Sequence, residues 1–338
     1  MGVGLPSVSP KIFYLFMTNL RQNLQTVTHP KKGCSLDTLA QLDHFAQNRA
    51  YDTLKKRAIS KYYTNEILYP LIDLKNERED MYWNTYHCVK TLAQDTNGKV
   101  TSKYCKNRWC IVCNRIRTAT LINRYHKPIS ELNTRFVTLT TNRSAECRTK
   151  DELKEVMQDY KDTFSKIWRR LKRRYGTISA IRKIETTWNY REKHFHPHFH
   201  VIIENNKDEA KYLVTQWLKE YPKALRTHQP ISVTDDRTLM ELFKYFTKMW
   251  KSIKNENTTE EKRVLPYPPD VMDTIFSVMY RQRTIQSYGN KFPNIDDDFD
   301  TDKATVFTQE QRENIVFWEW EQDCKTWIDY NTGEMRTY

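Results

Sequence analysis

A chain of 338 residues with 38% hydrophobic side chains has enough apolar material for one large domain with appendages or for two domains, which excludes a disordered chain. A net charge of +13, with Trp 9, Tyr 20 and Phe 14 interleaved among the basic residues, is the footprint of a nucleic-acid binder: phosphates attract the charge and bases stack on the rings. No apolar run approaches the ~20 residues needed to span a bilayer, MGVGLPSVSPK lacks the marks of a secretory signal, and no glycine stands in a phosphate-cradling arrangement; a cytoplasmic protein without an ATPase or dinucleotide site is expected.

Between Ser35 and about Tyr86, apolar residues recur at helical spacing (Leu36, Leu39, Leu42, Phe45), which predicts an N-terminal, mainly helical region over residues 1–80. Residues 81–126 hold a cysteine cluster, Cys105-x4-Cys110-x2-Cys113 with Cys88 upstream. Four thiolates in that layout close a tetrahedral Zn²⁺ site, and His87 is an alternative to Cys88. The odd total of 7 cysteines in a non-secreted chain points to metal ligands or free thiols instead of disulfides. Arg108, Arg115 and Arg117 decorate this knuckle and suit contact with a DNA backbone.

Residues 127–255 carry the clearest pattern. FVTLTT, residues 136–141, alternates as a strand does. A helix follows, opened by a capping box of Thr149 and Glu152, carried by the stripe Leu153, Val156, Met157, Tyr160, Phe164, Ile167, Trp168, Leu171, and stopped by Gly176. Its end is strongly basic, with Arg169, Arg170, Lys172, Arg173 and Arg174 set for phosphate contact. Residues 178–188 and 196–204 read as a hairpin, followed by a helix near 208–220, a strand near 229–233 and a helix over 237–252. The order βαββαβα predicts an α+β fold: an antiparallel sheet of split βαβ, ferredoxin-like type with helices on one face. The polar stretch 253–263 and the acidic 294–302 read as loops or linkers, and residues 256–338 as a C-terminal helical extension and tail.

Within the hairpin, KHFHPHFHVIIE places His194, His196, His198 and His200 at alternate positions, and alternate residues of a strand share a face. If the turn centres near Arg191, Glu185 stands opposite His198 within the ~5 Å of a cross-strand pair. Two imidazoles and a carboxylate leave coordination positions open, the arrangement of a catalytic metal, and phosphate chemistry commonly uses Mg²⁺ or Mn²⁺. His194 and His196 lie beside Pro197, which disturbs pairing, and touch DNA or nothing. On the last helix, Glu241, Tyr245 and Lys248 share a face away from the apolar stripe, so a phenol has a carboxylate one turn before it and an ammonium one turn after. A carboxylate so placed can serve as general base for water.

These pieces, in this order, resemble the rolling-circle replication initiators of small bacterial plasmids within the HUH endonuclease superfamily: FVTLTT, IRKIETTWN with HPHFHVII, ELFKYFTK and CKNRWCIVCNRIR. The likeness spans roughly residues 55–292. It departs from the family at Ile111, where proline is usual, and in the run after Cys113. The resemblance implies an HUH nuclease core with a single nucleophilic tyrosine, Tyr245. It carries metal ligation to His198, His200 and Glu185, and phosphate positioning to Lys248. It implies an enzyme that nicks one strand of plasmid origin DNA through a 5′-phosphotyrosine and rejoins it, with single- and double-stranded origin DNA, a host helicase and a polymerase as partners. Two other functions share part of these features: a relaxase or transposase-type strand transferase, which has the histidine strand and tyrosine but is argued against by the cysteine cluster and the Glu241–Tyr245 pairing, and a non-enzymatic, zinc-containing origin-binding protein, which would form no covalent adduct.

Overall fold

The computed structural model describes residues 49–94, 100–243, 251–254, 261–293 and 315–336, all within one compact unit, Gln47–Tyr338. The predicted helical start is present over its described part as α1 (Arg49–Ile72) and α2 (Glu79–Tyr86). Ile67, Leu68, Leu71 and Tyr82 from these helices bury against Trp109 and Ile111 of the cysteine segment. That segment continues through β1 (Thr91–Gln94) and β2 (Val100–Ser102) into α3 (Ile111–Ser130).

The middle of the chain begins with β3 (Thr134–Leu139) and α4 (Lys150–Tyr175). The capping box is formed as the sequence predicts: Thr149 Oγ1 accepts from the Glu152 amide while Glu152 accepts from the Thr149 amide. Gly176 closes the helix at φ 77, a conformation in which a side chain would be strained. Then come β4 (Ala180–Asn189), β5 (His194–Glu204), α5 (Glu209–Glu220), β6 (Ile231–Val233) and α6 (Asp236–Phe243). With β9 (Ile285–Tyr288) added at one edge, the five strands run in the order β6-β3-β5-β4-β9, every pairing antiparallel. The β4–β5 register sets Glu185 opposite His198 and Lys183 opposite His200.

The sheet is covered on both faces, where the sequence predicts helices on one. The face holding Ile184, Phe199, Val201 and Ile203 packs on α4 and α5 through Tyr160, Phe164 and Trp217. The opposite face holds Phe136, Ile181 and Ile202, too apolar to be left in water, and it buries against Leu121 and Tyr125 of α3 and Leu239 and Phe243 of α6. Arg182 lies on the first face almost fully buried; its guanidinium stacks on Phe199 at 4.7 Å and Phe164 at 5.1 Å and reaches the β9 edge through Gln286 at 3.0 Å. Pro197 does not interrupt β5: it pairs with Thr186 where β3 no longer runs alongside, so its missing N–H costs no ladder bond on the open side.

Two further differences concern the chain after α6. The sequence predicts helix to Ser252 and a loop over 253–263. Instead β7 (Lys251–Lys254) and β8 (Glu261–Val264) form an antiparallel pair. The C-terminal stretch expected to be helical contains α7 (Pro269–Met279) and then strands. Of these, β10 (Val316–Glu321) pairs with β1, and β11 (Thr326–Asp329) completes a second sheet of order β11-β10-β1-β2. Cys324, between them, is disulfide-bonded, against the expectation of free or ligating thiols throughout.

α7 is tied to α2 by a buried ion pair. Arg78 Nε donates to Asp273 at 2.8 Å, a second guanidinium nitrogen reaches the same carboxylate, and the Tyr82 hydroxyl donates to it as well. Burial would raise the pKa of Asp273, but these donors hold it below the usual carboxylate range. At the end of β9, Gly289 adopts φ +81, and a Cβ there would lie 2.3 Å from the Ile178 carbonyl oxygen, so only glycine fits.

Candidate active site and metal centres

On the second face of the sheet, ligand atoms of Glu185, His198 and His200 all lie within 4.8 Å of one another. Strand alternation brings the two histidines to that face and the hairpin register brings the carboxylate opposite. The His198 and His200 rings stand 4.8 Å apart, nearly perpendicular. Nδ1 of His198 lies 3.1 Å from the His196 carbonyl; a carbonyl only accepts, so Nδ1 carries the proton and the Nε2 lone pair is left for a cation. Phe136 stacks on His200 at 5.3 Å, and Thr138 Oγ1 lies 3.3 Å from its Nδ1, so both rings are fixed before any ligand arrives.

The protonation states suit a metal. Burial lowers the pKa of His198, and it lowers His200 to about 3, helped by repulsion from His198, so both imidazoles are neutral at physiological pH. Burial alone would raise Glu185, yet the Lys183 ammonium and then the histidines hold it at about 2. Two neutral imidazoles and an ionised carboxylate are a donor set that fits one divalent cation and leaves coordination positions open.

Two residues join this group from outside it. Lys183, 3% exposed, places Nζ 2.8 Å from Glu185 Oε2 and 3.2 Å from the Glu241 carbonyl oxygen, linking the carboxylate to α6. Sequence reading missed it; the signal was its spacing two residues before Glu185 on the same face. Glu241, half-exposed, brings Oε1 to 3.7 Å from His200 Nε2, the same distance as Glu185 Oε2. Tyr245 and Lys248 lie outside the described residues. His194 and His196 share the face without joining the cluster. His194 bonds Glu192 at 2.8 Å; His196 lies 5.4 Å from His198 ring to ring, and burial lowers its pKa to about 4.

The second cluster unites Cys88, Cys105, Cys110 and Cys113, their sulfurs within 4.8 Å of one another. Cys113 Sγ is 3.6 Å from Cys88 Sγ and 3.7 Å from Cys105 Sγ. A disulfide would bring them to about 2 Å, whereas a tetrahedron with Zn–S of about 2.3 Å has edges of roughly 3.8 Å, so the set fits a four-coordinate zinc. Amides of Cys105, Asn107 and Cys113 point at sulfurs at 3.4, 3.4 and 3.5 Å, as donors to thiolates do. Cys88, not His87, completes the group; His87 stacks on Trp83. The buried Lys61 ammonium bonds Asn65 at 3.2 Å and the Tyr86 carbonyl; burial lowers its pKa to about 8 against the pull of the neighbouring thiols. It offsets part of the negative charge of a zinc tetrathiolate.

The expected DNA contacts divide into two groups. At the end of α4, Arg169, Lys172, Arg173 and Arg174 are exposed, while Arg170 is ion-paired with Glu220 and packs α4 against α5. The knuckle arginines are engaged with protein. Arg108 donates to the Met279 and Gln282 carbonyls, Arg115 to Lys56 O and Ser60 Oγ, and the buried Arg117 to the Lys106 and Asn107 carbonyls. None of the described helices is long and apolar enough to cross a membrane.

Comparison with known proteins places this geometry in context. A family model described as a replication protein matches residues 99–338. The Protein rep of Staphylococcus aureus is 32% identical over 140 residues, 38% of this chain and 58% of that protein. That of a Bacillus species is 27% identical over 185 residues, 51% of this chain and 58% of that protein. The chain thus spans a little over half the length of these curated relatives. No solved structure matches it.

Proposed function

The chain belongs to the replication protein family whose model covers residues 99–338, and on that premise we propose that it initiates rolling-circle replication of a plasmid by nicking one origin strand. The observation that carries the reading is the convergence of Glu185, His198 and His200 with the Glu241 carboxylate 3.7 Å from His200, four residues before Tyr245 in the chain. The sheet order β6-β3-β5-β4 supports a split βαβ core of the HUH nuclease type. Residues 127–255 form that core in this reading, after an N-terminal region over 1–80 and a zinc knuckle over 81–126.

Glu185, His198 and His200 would hold Mg²⁺ or Mn²⁺, which would supply positive charge where it develops on the scissile phosphate. Lys183 orients Glu185 for that task. The Tyr245 hydroxyl oxygen forms a bond to phosphorus as the bond from phosphorus to the 3′-oxygen breaks; the phenolic proton ends on the released 3′-hydroxyl, and a 5′-phosphotyrosine remains. Lys248 positions the phosphate and favours the phenolate. The free 3′-hydroxyl primes a host polymerase, and a host helicase opens the duplex. Because the phosphotyrosyl bond stores the energy of the broken phosphodiester, rejoining needs no nucleotide hydrolysis.

A lone tyrosine is consumed once the first adduct forms, so Glu241 serves as general base for water at the end of a round, a role contributing about 10² to 10⁴-fold. Glu241→Ala is expected to form the first tyrosine adduct on labelled single-stranded origin DNA while the water-dependent second cleavage fails by that factor. Equal loss of both steps would make Glu241 a metal-site residue instead. A protein that binds the origin but never forms a denaturation-resistant protein–DNA band would be an origin-binding factor, not a nuclease.

A further inference from the structure

The charge of α4 changes sign along its length. Its acidic residues end at Asp162 and the chain has none from Thr163 to Ile184, while six cations fall between Lys166 and Arg174. Cations in the last turn of a helix compensate its dipole, but that effect fades within one turn. It accounts for Lys172, Arg173 and Arg174 and leaves Lys166 and Arg169 unexplained. Lys166, Arg169 and Arg173, at i, i+3 and i+7, form one exposed ridge about 10 Å long, on the side of the helix away from the buried Phe164, Ile167 and Leu171. Among the described residues, the side chains of Lys166, Arg169, Lys172 and Arg173 make no ion pair or hydrogen bond. The acids at the two ends of α5 are already taken, Glu220 by Arg170 and Asp208 by Lys211. Arg174 lies 4.9 Å from the ring centre of Tyr212 and 5.5 Å from that of Tyr175, and the two rings meet edge to face at 5.6 Å.

We propose that this end of α4 is a docking strip for duplex DNA, which it holds by backbone phosphates without reading sequence. Like charges gathered on one ridge repel, and a duplex with one negative charge per ~1.7 Å of axis brings enough phosphate to meet every cation on it. A single strand is gripped by charge together with open aromatic faces. Here Tyr175 and Tyr212 are half-buried and spent on Arg174 and on each other, so the strip offers charge without a stacking face. An anionic membrane takes an amphipathic helix by its apolar face, and that face of α4 is buried against the sheet. That the polyanion is DNA rests on the replication reading above. Because α4 covers the sheet face opposite the metal group, the strip holds duplex beside the nick while the strand to be cut lies across the sheet. The Arg170–Glu220 pair ties α4 to α5 and keeps the ridge in place.

The test is fluorescence anisotropy of the full chain without divalent metal, over a salt series, on a labelled duplex of random sequence and a single strand of equal length. Sedimentation with phosphatidylserine vesicles runs alongside. Arg169→Gln combined with Arg173→Gln is expected to lower the salt slope on the duplex by about 1.8, as loss of two phosphate contacts does, which at 0.1 M salt is about a sixtyfold loss of affinity. Arg169→Gln alone should lower the slope by about 0.9, and neither variant should change the slope on the single strand. Lys154→Gln, on the acidic half of the same helix, should leave both probes unchanged. Arg169 and Arg173 are exposed, so thermal melts of the variants should match the wild type. An unchanged duplex slope overturns the strip, and an equal loss on the single strand overturns the duplex assignment. Vesicle binding lost in the variants with duplex binding intact overturns it in favour of a membrane contact. A wild type that links covalently to single-stranded origin DNA yet binds no duplex ends this proposal alone. One that binds duplex with the expected slope changes and never forms the covalent link ends the nuclease reading alone.

Discussion

His198→Ala is expected to lose metal-dependent cleavage by about a thousandfold, with His200→Ala behaving alike. Each removes one of the three residues, Glu185, His198 and His200, whose ligand atoms gather on this face among the described residues. Charge stabilisation at the phosphoryl oxygens is worth several kcal/mol, and about 4 kcal/mol is a factor of 10³ in rate. The remaining pair would not hold the cation: Glu185 would lean further on Lys183, already 2.8 Å away, and the carboxylate would be neutralised by an internal partner. Calorimetry with Mn²⁺ is the check, since it reads the site without the reaction. An unchanged Mn²⁺ affinity in either variant would sink the ligand assignment, and unchanged cleavage would remove the centre from the chemistry.

Cys110→Ser is expected to release zinc and unfold the knuckle, because structural zinc contributes on the order of 10 kcal/mol to small sites. The consequence reaches beyond the knuckle. Cys110 caps α3 and Cys113 lies in its first turn, and further along α3, Leu121, Tyr125 and Ile129 bury against the sheet face that carries the histidines. On the other side, Trp109 and Ile111 bury with α1 and α2. Loss of the thiolate set therefore loosens the packing behind the sheet face that carries the histidines as well as the N-terminal packing. Elemental analysis should give one zinc in the wild type and none in the variant, with the cooperative melt lost or shifted far down. Zinc retained by Cys110→Ser, or absent from the wild type, would remove the structural role.

What was legible in the sequence is what is local. The period-2 run of histidines and a turn near Arg191 were enough to set Glu185 opposite His198, because antiparallel pairing fixes register once the turn is known. Thr149, Glu152 and Gly176 marked both ends of α4 for the same reason. What was not legible depends on distant partners. The Val316–Glu321 strand finds its neighbour at Thr91–Gln94, and nothing within its own residues records that pairing. The second covering of the sheet comes from α3, whose burial depends on a helix placed by the cysteine cluster. Arg108, Arg115 and Arg117 were read as decorating the knuckle for DNA contact, and the carbonyls of other elements that take some of their donors could not be seen from these residues alone. Lys183 was passed over because its spacing two residues before Glu185 gives the shared face but not the burial that fixes the contact.

A covalent link between Tyr245 and the 5′ end of cut DNA is what separates a nicking initiator from an origin-binding protein. The direct measurement is to incubate the chain with Mn²⁺ and labelled single-stranded DNA carrying the origin of its own plasmid, denature, digest with protease and nuclease, and map the modified peptide by mass spectrometry. The predicted result is a single nucleotide phosphate on the peptide containing Tyr245, absent from Tyr245→Phe and from samples with chelator. A nick with no protein-linked nucleotide, or an adduct on another residue that persists in Tyr245→Phe, would contradict it.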